Sequence, residues 1–345
     1  MLARALTERE NTILCCVVES HVQTALPAGS RHLAKKFNLG ISPATIRNVM
    51  NDLEEMGYLC QPHISAGRIP TDKGYRFYVD SLMAVRKLRR RERQIIWENL
   101  HKYAVDVKEI LAAASRVLGQ VSAQLGVVLE PRFYQGIFQK IELVSVSETR
   151  ILAVISIMSG LVKTIMMEME SAVSRDQLEQ TSWVINERLS GLSLKEVKET
   201  IDERLSDAVV SNDRLMHLVL ESSYRLFSFE RHEGLHLGGT HNIVANPEFS
   251  EKDDVARVLG MIESKETILH KFDQGEDNKV CVRIGRENKE DLFRDYSVIV
   301  TQYYIGNVTG ALGVVGPTRM QYSRIIPLVD YVGGVLTRVF SDKLC

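Results

Sequence analysis

The stretch Ser42-Pro43-Ala44-Thr45-Ile46-Arg47-Asn48-Val49-Met50-Asn51-Asp52-Leu53-Glu54-Glu55-Met56-Gly57 reads as a helix with two unlike faces. Ser42 is a helix-capping residue type, and Pro43 falls at the first helical position, where its missing N–H costs nothing. Gly57 supplies the stop. Ile46, Val49, Met50 and Leu53 recur at helical spacing and make one apolar stripe. At about 100° per residue the opposite edge is Ala44, Asn48 and Asn51, flanked by Thr45 and Arg47. These are short, uncharged or cationic groups near the helix start. An arginine can fork onto guanine and an asparagine onto adenine in a major groove. Ser42, Thr45 and the helix N-terminus offer donors to a phosphate oxygen. The acids Asp52 and Glu55 lie further along, away from that edge.

Upstream, residues 7–20 read as a first helix. Thr7 stands three before Glu10, the spacing of a capping box, and Ile13, Leu14, Val17 and Val18 follow as an apolar stripe. Pro27 breaks the pattern. A short second helix starts at Ser30, turns Leu33, Ala34 and Phe37 inward, and closes at Asn38-Leu39-Gly40. Downstream, Tyr58-Leu59-Cys60 is β-like, and the loop from Pro62 to Pro70 contains a returning strand. That loop presents His63, Ser65 and Arg68 around Gly67, as a wing that follows a phosphate backbone or enters a minor groove would. Thr71 then caps a long helix carrying Tyr75, Tyr78, Val79 and Leu82, expected to run as a connector into Arg86-Lys87-Leu88-Arg89-Arg90-Arg91. Lys73 and Arg76, at its start, extend the expected positive surface. Three short helices and a wing make a winged helix-turn-helix, whose third helix fits a major groove. The expected partner is double-stranded DNA.

The 345 residues are too many for one ordinary core, so two or three domains are expected. With 45% apolar and 25% charged residues the composition is that of a globular, soluble chain. The net charge of −1 conceals an asymmetry. Residues 1–93 hold 15 Lys/Arg against 9 Asp/Glu, and the remainder holds 28 against 35. A basic head on an acidic body suits a nucleic-acid reader joined to a non-binding domain. No stretch approaches the roughly 18 apolar residues of a membrane span, and the first residues lack the apolar core of a signal peptide. The five cysteines are odd in number and form no C-x-x-C pair, which argues for a reducing compartment and a cytoplasmic protein.

Beyond the head, a helix is expected at about 104–125, with strands at 137–147, 150–157 and 161–168. Residues 174–230 read as charged helices broken at Ser190-Gly191-Leu192-Ser193, and 234–249 as a glycine-rich loop. A helix at about 251–270, strands at 279–284, 296–304 and 310–315, and a last helix at 322–340 complete the pattern. Strands flanking a helical block suggest an α+β domain with an insertion. No Walker loop, G-x-S-x-G elbow or GxGxxG is present, and His232, His236 and His241 read as surface histidines rather than a metal site. No enzyme, cofactor or metal is expected. Leu178, Trp183, Val184, Leu189, Leu192 and Leu194 suit either a patch between two copies or a core.

Several blocks carry a resemblance. They are Ser42-Pro43-Ala44-Thr45-Ile46-Arg47-Asn48, Leu53-Glu54-Glu55-Met56-Gly57-Tyr58, Pro62 through Thr71, and Gly74-Tyr75-Arg76-Phe77-Tyr78-Val79-Asp80. Further on come Gly239-Thr240-His241-Asn242, Pro247-Glu248-Phe249, Ile284-Gly285-Arg286-Glu287-Asn288 and Gly316-Pro317-Thr318-Arg319-Met320-Gln321-Tyr322. In this order they resemble the heat-inducible transcription repressor HrcA family; the stretch 174–230 carries no matching block. The resemblance implies an α+β multidomain chain. A winged-helix domain at 1–92 would be followed by a GAF-like domain at 93–173 and 236–345, with a dimerising insertion at 174–235. It implies a homodimer on an inverted-repeat operator upstream of chaperone operons, those of the chaperonin and DnaK groups, kept active by the GroE chaperonin. It also leaves an alternative, since GAF-like folds often hold small ligands: a metabolite-sensing regulator with the same DNA reader.

Overall fold

The Thr7 side chain accepts the Glu10 N–H while the Glu10 carboxylate takes the Thr7 N–H, closing a capping box at the start of α1 (Glu8–Thr24) in the computed structural model. The structure describes residues 4–63, 66–102, 106–169, 172–206, 214–227, 234–244, 248, 252–273 and 279–344. α2 (Ser30–Phe37) ends at Asn38 in the left-handed region. α3 (Pro43–Glu55) starts where the Ser42 Oγ accepts the Thr45 N–H at 3.1 Å. It stops at Met56, followed by Gly57 at φ +77°, a backbone that favours glycine. Ile46, Val49, Met50 and Leu53 are buried in one core with Ile13, Leu14 and Val17 of α1. β1 (Leu59–Cys60) and β2 (Ile69–Pro70) pair antiparallel. Thr71 caps α4 (Asp72–Phe77), which continues in wider π turns through Leu82.

The expected connector helix does not continue. Residues 83–89 leave the helix, and α5 (Arg90–Lys102) begins separately. The reason is tertiary: the Arg86 N–H is taken by the Ser323 carbonyl at 2.9 Å, and Glu92 pairs with Arg324 at 2.8 Å. The basic run is therefore held against the body.

α6 (Val107–Ser122) leads into β3 (Leu125–Leu129), a fully buried strand for which no element was expected between the helix ending near 125 and the strand at 137. β4 (Phe138–Ser147), β5 (Arg150–Ile157) and β6 (Val162–Glu168) form an antiparallel sheet of their own. α7 (Arg175–Leu189) packs on it, and the Asn186 amide exchanges two hydrogen bonds with the Ile141 backbone, at 2.7 and 3.0 Å. α8 (Leu194–Leu205), α9 (Arg214–Glu221) and α10 (Ser223–Phe227) complete this unit. A division at 173/174 would cut through it, because β4–β6 need α7 to cover their apolar face. Leu178, Leu189 and Leu194 are buried and Val184 and Leu192 pack against the core, whereas Trp183 is 63% exposed.

The segment expected as a glycine-rich loop holds β7 (Leu235–Gly238) and α11 (Thr240–Val244). Pairing with β3 makes β7 a strand, a non-local cause that local composition does not carry. α12 (Lys252–Glu263) and α13 (Lys265–Asp273) replace one expected helix, with Ser264 between them. β8 (Cys281–Ile284), β9 (Tyr296–Ile305), β10 (Val308–Pro317) and α14 (Tyr322–Leu344) follow. The larger sheet has the order β7-β3-β10-β9-β8, antiparallel throughout. Its strands alternate between two cores. Leu125, Val127 and Leu129 face Ile243, Val258 and Ile268 of α11–α13, whereas Val128 turns to the side of α6 and α14. The chain is thus a mixed α+β protein, with a two-stranded hairpin in its mainly helical head and, among the described residues, two larger antiparallel sheets behind it.

Candidate nucleic-acid interface

The stripe that buries one side of α3 fixes what the other side shows. Ser42, Ala44, Arg47, Asn48 and Asn51 are exposed, and Thr45 is partly so, its hydroxyl 2.9 Å from that of Ser42. Arg47 is exposed and has no ion pair or hydrogen bond to any described residue. Arg31, Lys35 and Lys36 of the neighbouring α2 are also exposed, with no ion pair among the described residues. The sequence reading passed over them, although the Lys35-Lys36 pair just before the turn into α3 was the visible signal.

The loop and the following helix depart from expectation. Arg68 is only 16% exposed: its Nη2 donates to the Asn51 Oδ1 at 3.0 Å and pairs with Glu54 at 2.8 Å. Its backbone also pairs with Ala28, at 2.9 and 3.0 Å. Arg68 therefore holds the hairpin against α3 and orients Asn51, rather than reaching outward to a phosphate. Lys73 is exposed but tethered at the start of α4, donating to the Met56 carbonyl at 2.7 Å and lying 4.3 Å over the Tyr58 ring. A cation there satisfies an orphan carbonyl at the C-terminal end of α3. His63 is exposed on the loop; Ser65 lies outside the described residues.

Arg76 belongs to the junction between head and body. Its guanidinium forks onto Glu287 at 2.7 and 2.5 Å and donates to the Val282 carbonyl at 2.6 Å. This is a charge-assisted bidentate pair across 211 residues of chain, and it removes Arg76 from the expected interface. Around it, the Asp72 carboxylate accepts the Arg286 N–H at 2.9 Å, and Arg319 pairs with Glu248 and donates to the Val22 carbonyl. Buried between these tethers, the Tyr75 ring sits 6.0 Å from that of Tyr322, whose hydroxyl meets Ser297. Asn288, fully buried, donates to the carbonyls of Gly285, Phe293 and Tyr296 and holds the body's side of the joint. His236, one of the three histidines read as surface groups, is bonded to Glu130 at 3.2 Å; His232 lies outside the described residues.

His21 also lies in this joint, its Nδ1 2.6 Å from the Tyr75 hydroxyl. Burial, helped by the Arg319 charge, pushes its pKa down to about 4. The unfolded chain titrates near the usual value of about 6.5. The neutral ring is thus favoured by folding, so this stability is present above that value and is lost as pH falls through 6.5 toward 4. After discounting for screening, the contribution is on the order of 2 kcal/mol. Urea unfolding across this range is expected to show a drop that His21→Gln largely removes.

Residues 108–326 match the family model described as the HrcA protein C terminal domain. Curated relatives span the whole chain. The heat-inducible transcription repressor HrcA of Prosthecochloris aestuarii is 41% identical, covering 98% of each chain. That of Chlorobium phaeobacteroides strain BS1 is also 41% identical, over 99% of this chain and all of its own, and that of Chlorobaculum parvum is 42% identical with the same coverage. A solved structure described as the crystal structure of a hypothetical protein at 2.2 Å resolution shares the fold. It covers 98% of this chain and 100% of its own, with a TM-score of 0.59 and 23% identity. The class is therefore that of transcription repressors acting on heat-inducible genes. Within that class, the chain belongs to the HrcA family. Among the described residues, no helix is long and apolar enough to cross a membrane.

Proposed function

We propose that residues 4–82 are a winged helix-turn-helix that reads double-stranded DNA, with α3 in the major groove and α2 crossing the backbone. One observation carries this reading: the exposed Ala44–Arg47–Asn48–Asn51 edge stands on a fully apolar stripe, with Asn51 oriented by Arg68. Rigid presentation of a fork-shaped donor and two amides is what base readout requires. Arg31, Lys35 and Lys36 would supply phosphate contacts. The five-stranded sheet with its helices is the GAF-like part, and residues 138–227 are the inserted unit that pairs two copies. A twofold dimer then meets an inverted-repeat operator, with half-sites set by the helical repeat. The genes under that operator are chaperone operons, and the GroE chaperonin keeps the repressor in its binding form.

Gel shift of the purified protein on the inverted repeat, with and without chaperonin, tests this. Equal affinity for a scrambled duplex would sink it. Arg47→Ala is expected to weaken specific binding by about 1–3 kcal/mol and to relax the choice of base at one position. A uniform loss over all sequences would make Arg47 a phosphate contact instead. Arg68→Ala is expected to leave the salt slope unchanged while lowering specificity, because Arg68 acts through Asn51; a slope flattened by about one unit would restore its direct phosphate role.

A further inference from the structure

We infer that the hollow between head and body is a binding site for a small, multiply charged anion of the phosphate-ester class. It is an open hollow of ≈ 770 Å³ where the hairpin base and the start of α4 meet the turn Gly285–Glu287 and residues 294–296. A second hollow of ≈ 730 Å³ adjoins it, and Arg257, Arg286 and Arg294 line both. Small-molecule sites span about 300–1,000 Å³, so either hollow has the capacity.

The walls hold charges of both signs, and their internal accounts differ. Each carboxylate is already engaged within the protein, three of them by a cation and Asp72 by a backbone N–H. Asp72 takes the Arg286 N–H, Asp295 faces Arg257 at 3.2 Å, Asp291 faces Arg294 at 2.8 Å, and Glu248 pairs with Arg319. The cations do not balance in the same way. The Arg286 and Lys289 side chains are exposed, with no hydrogen bond or ion pair to a described residue, and Lys73 rests on a neutral carbonyl and a ring. Three cations without a carboxylate thus line the joined hollows, Lys73 from the head and Arg286 and Lys289 from a body that is otherwise acidic, with 28 Lys/Arg against 35 Asp/Glu beyond residue 93. A monocarboxylate would answer only one of them. A phosphate ester brings more charge and the oxygen geometry that guanidinium groups fork onto. Lys73 and Thr71 belong to the head, and Arg286 and Arg294 to the body, so a seated anion bridges the two and reinforces their joint.

The test uses the full-length protein and inorganic pyrophosphate at constant ionic strength, read by calorimetry and thermal shift. Saturable binding is expected, with a rise in Tm. The double variant Arg286→Ala/Lys289→Ala is expected to bind at least on the order of tenfold more weakly, with its unliganded Tm unchanged. Arg286→Gln/Lys289→Gln serves if the alanine pair fails to fold. Absence of saturable binding, equal affinity in parent and variant, or an equal effect of sodium sulfate at matched ionic strength would each overturn the inference. Operator affinity without pyrophosphate separates this site from the DNA reading. If the variant loses operator affinity while the parent ignores pyrophosphate, the cations are duplex contacts and the small-anion site is refuted.

Discussion

Gly285→Val is expected to lower unfolding stability by about 3 kcal/mol and to loosen the head from the body. Gly285 has φ +52°, a left-handed conformation that costs a β-branched residue about 1–3 kcal/mol. Space is also lacking. A Cβ built there lies 2.4 Å from the carboxylate atoms of Asp72, the residue that opens α4. Displacing that carboxylate breaks its bond from the Arg286 N–H, worth about 1.5–3 kcal/mol for a charged acceptor. The same turn carries Glu287, so the Arg76 fork is disturbed as well. Urea unfolding measures the loss, and limited proteolysis between residues 83 and 89 reports the loosening. Asp72→Ala in the Gly285→Val background should restore part of the stability, because it removes the clash. Strict additivity of the two changes would show that the clash is not the cause.

Leu53→Ala is expected to cost about 2–5 kcal/mol, the range for a fully buried leucine whose cavity collapses only in part. Leu53 ends the stripe that seats α3 on α1, and the residues it supports are those proposed to read bases. Operator binding should therefore fail through loss of the folded head, with a lower melting temperature. Arg47→Ala, by contrast, should weaken binding with melting unchanged, since its side chain is exposed and makes no hydrogen bond or ion pair to a described residue. Circular dichroism melts run beside the gel shifts separate the two. A Leu53→Ala protein with parental melting would show that the stripe is not the support of the reading edge.

The elements of the head were legible because their signals are local. Thr7 with Glu10, Ser42 with Pro43, and Thr71 are capping choices made within one turn, and each cap forms as its spacing predicts. The stripe Ile46–Val49–Met50–Leu53 is likewise a one-helix pattern. β3 and β7 were missed for the opposite reason. An apolar run behind a helix and a glycine-rich stretch become strands because β3 pairs with β7 on one side and with β10 on the other, at separations of roughly a hundred residues or more.

The candidate site divides along the same line. The exposure of Ala44, Arg47, Asn48 and Asn51 follows from helical periodicity once one face is apolar. Whether a cation is free is another matter. Arg68, Lys73 and Arg76 have the residue type and the position of DNA contacts, yet each has a partner that the folded chain delivers: Glu54, the Met56 carbonyl and Glu287.

By itself, the sequence determined where the helices of the head begin, which of their sides are apolar and which edge of α3 faces outward, because periodicity and capping involve residues within a turn or two of one another. Only the tertiary structure decided which charges remain available, how β4–β6 group with the inserted helices, and how the head is held to the body. Charges and sheet edges are satisfied by whatever the fold brings within about 3 Å, and that neighbour can stand two hundred residues away.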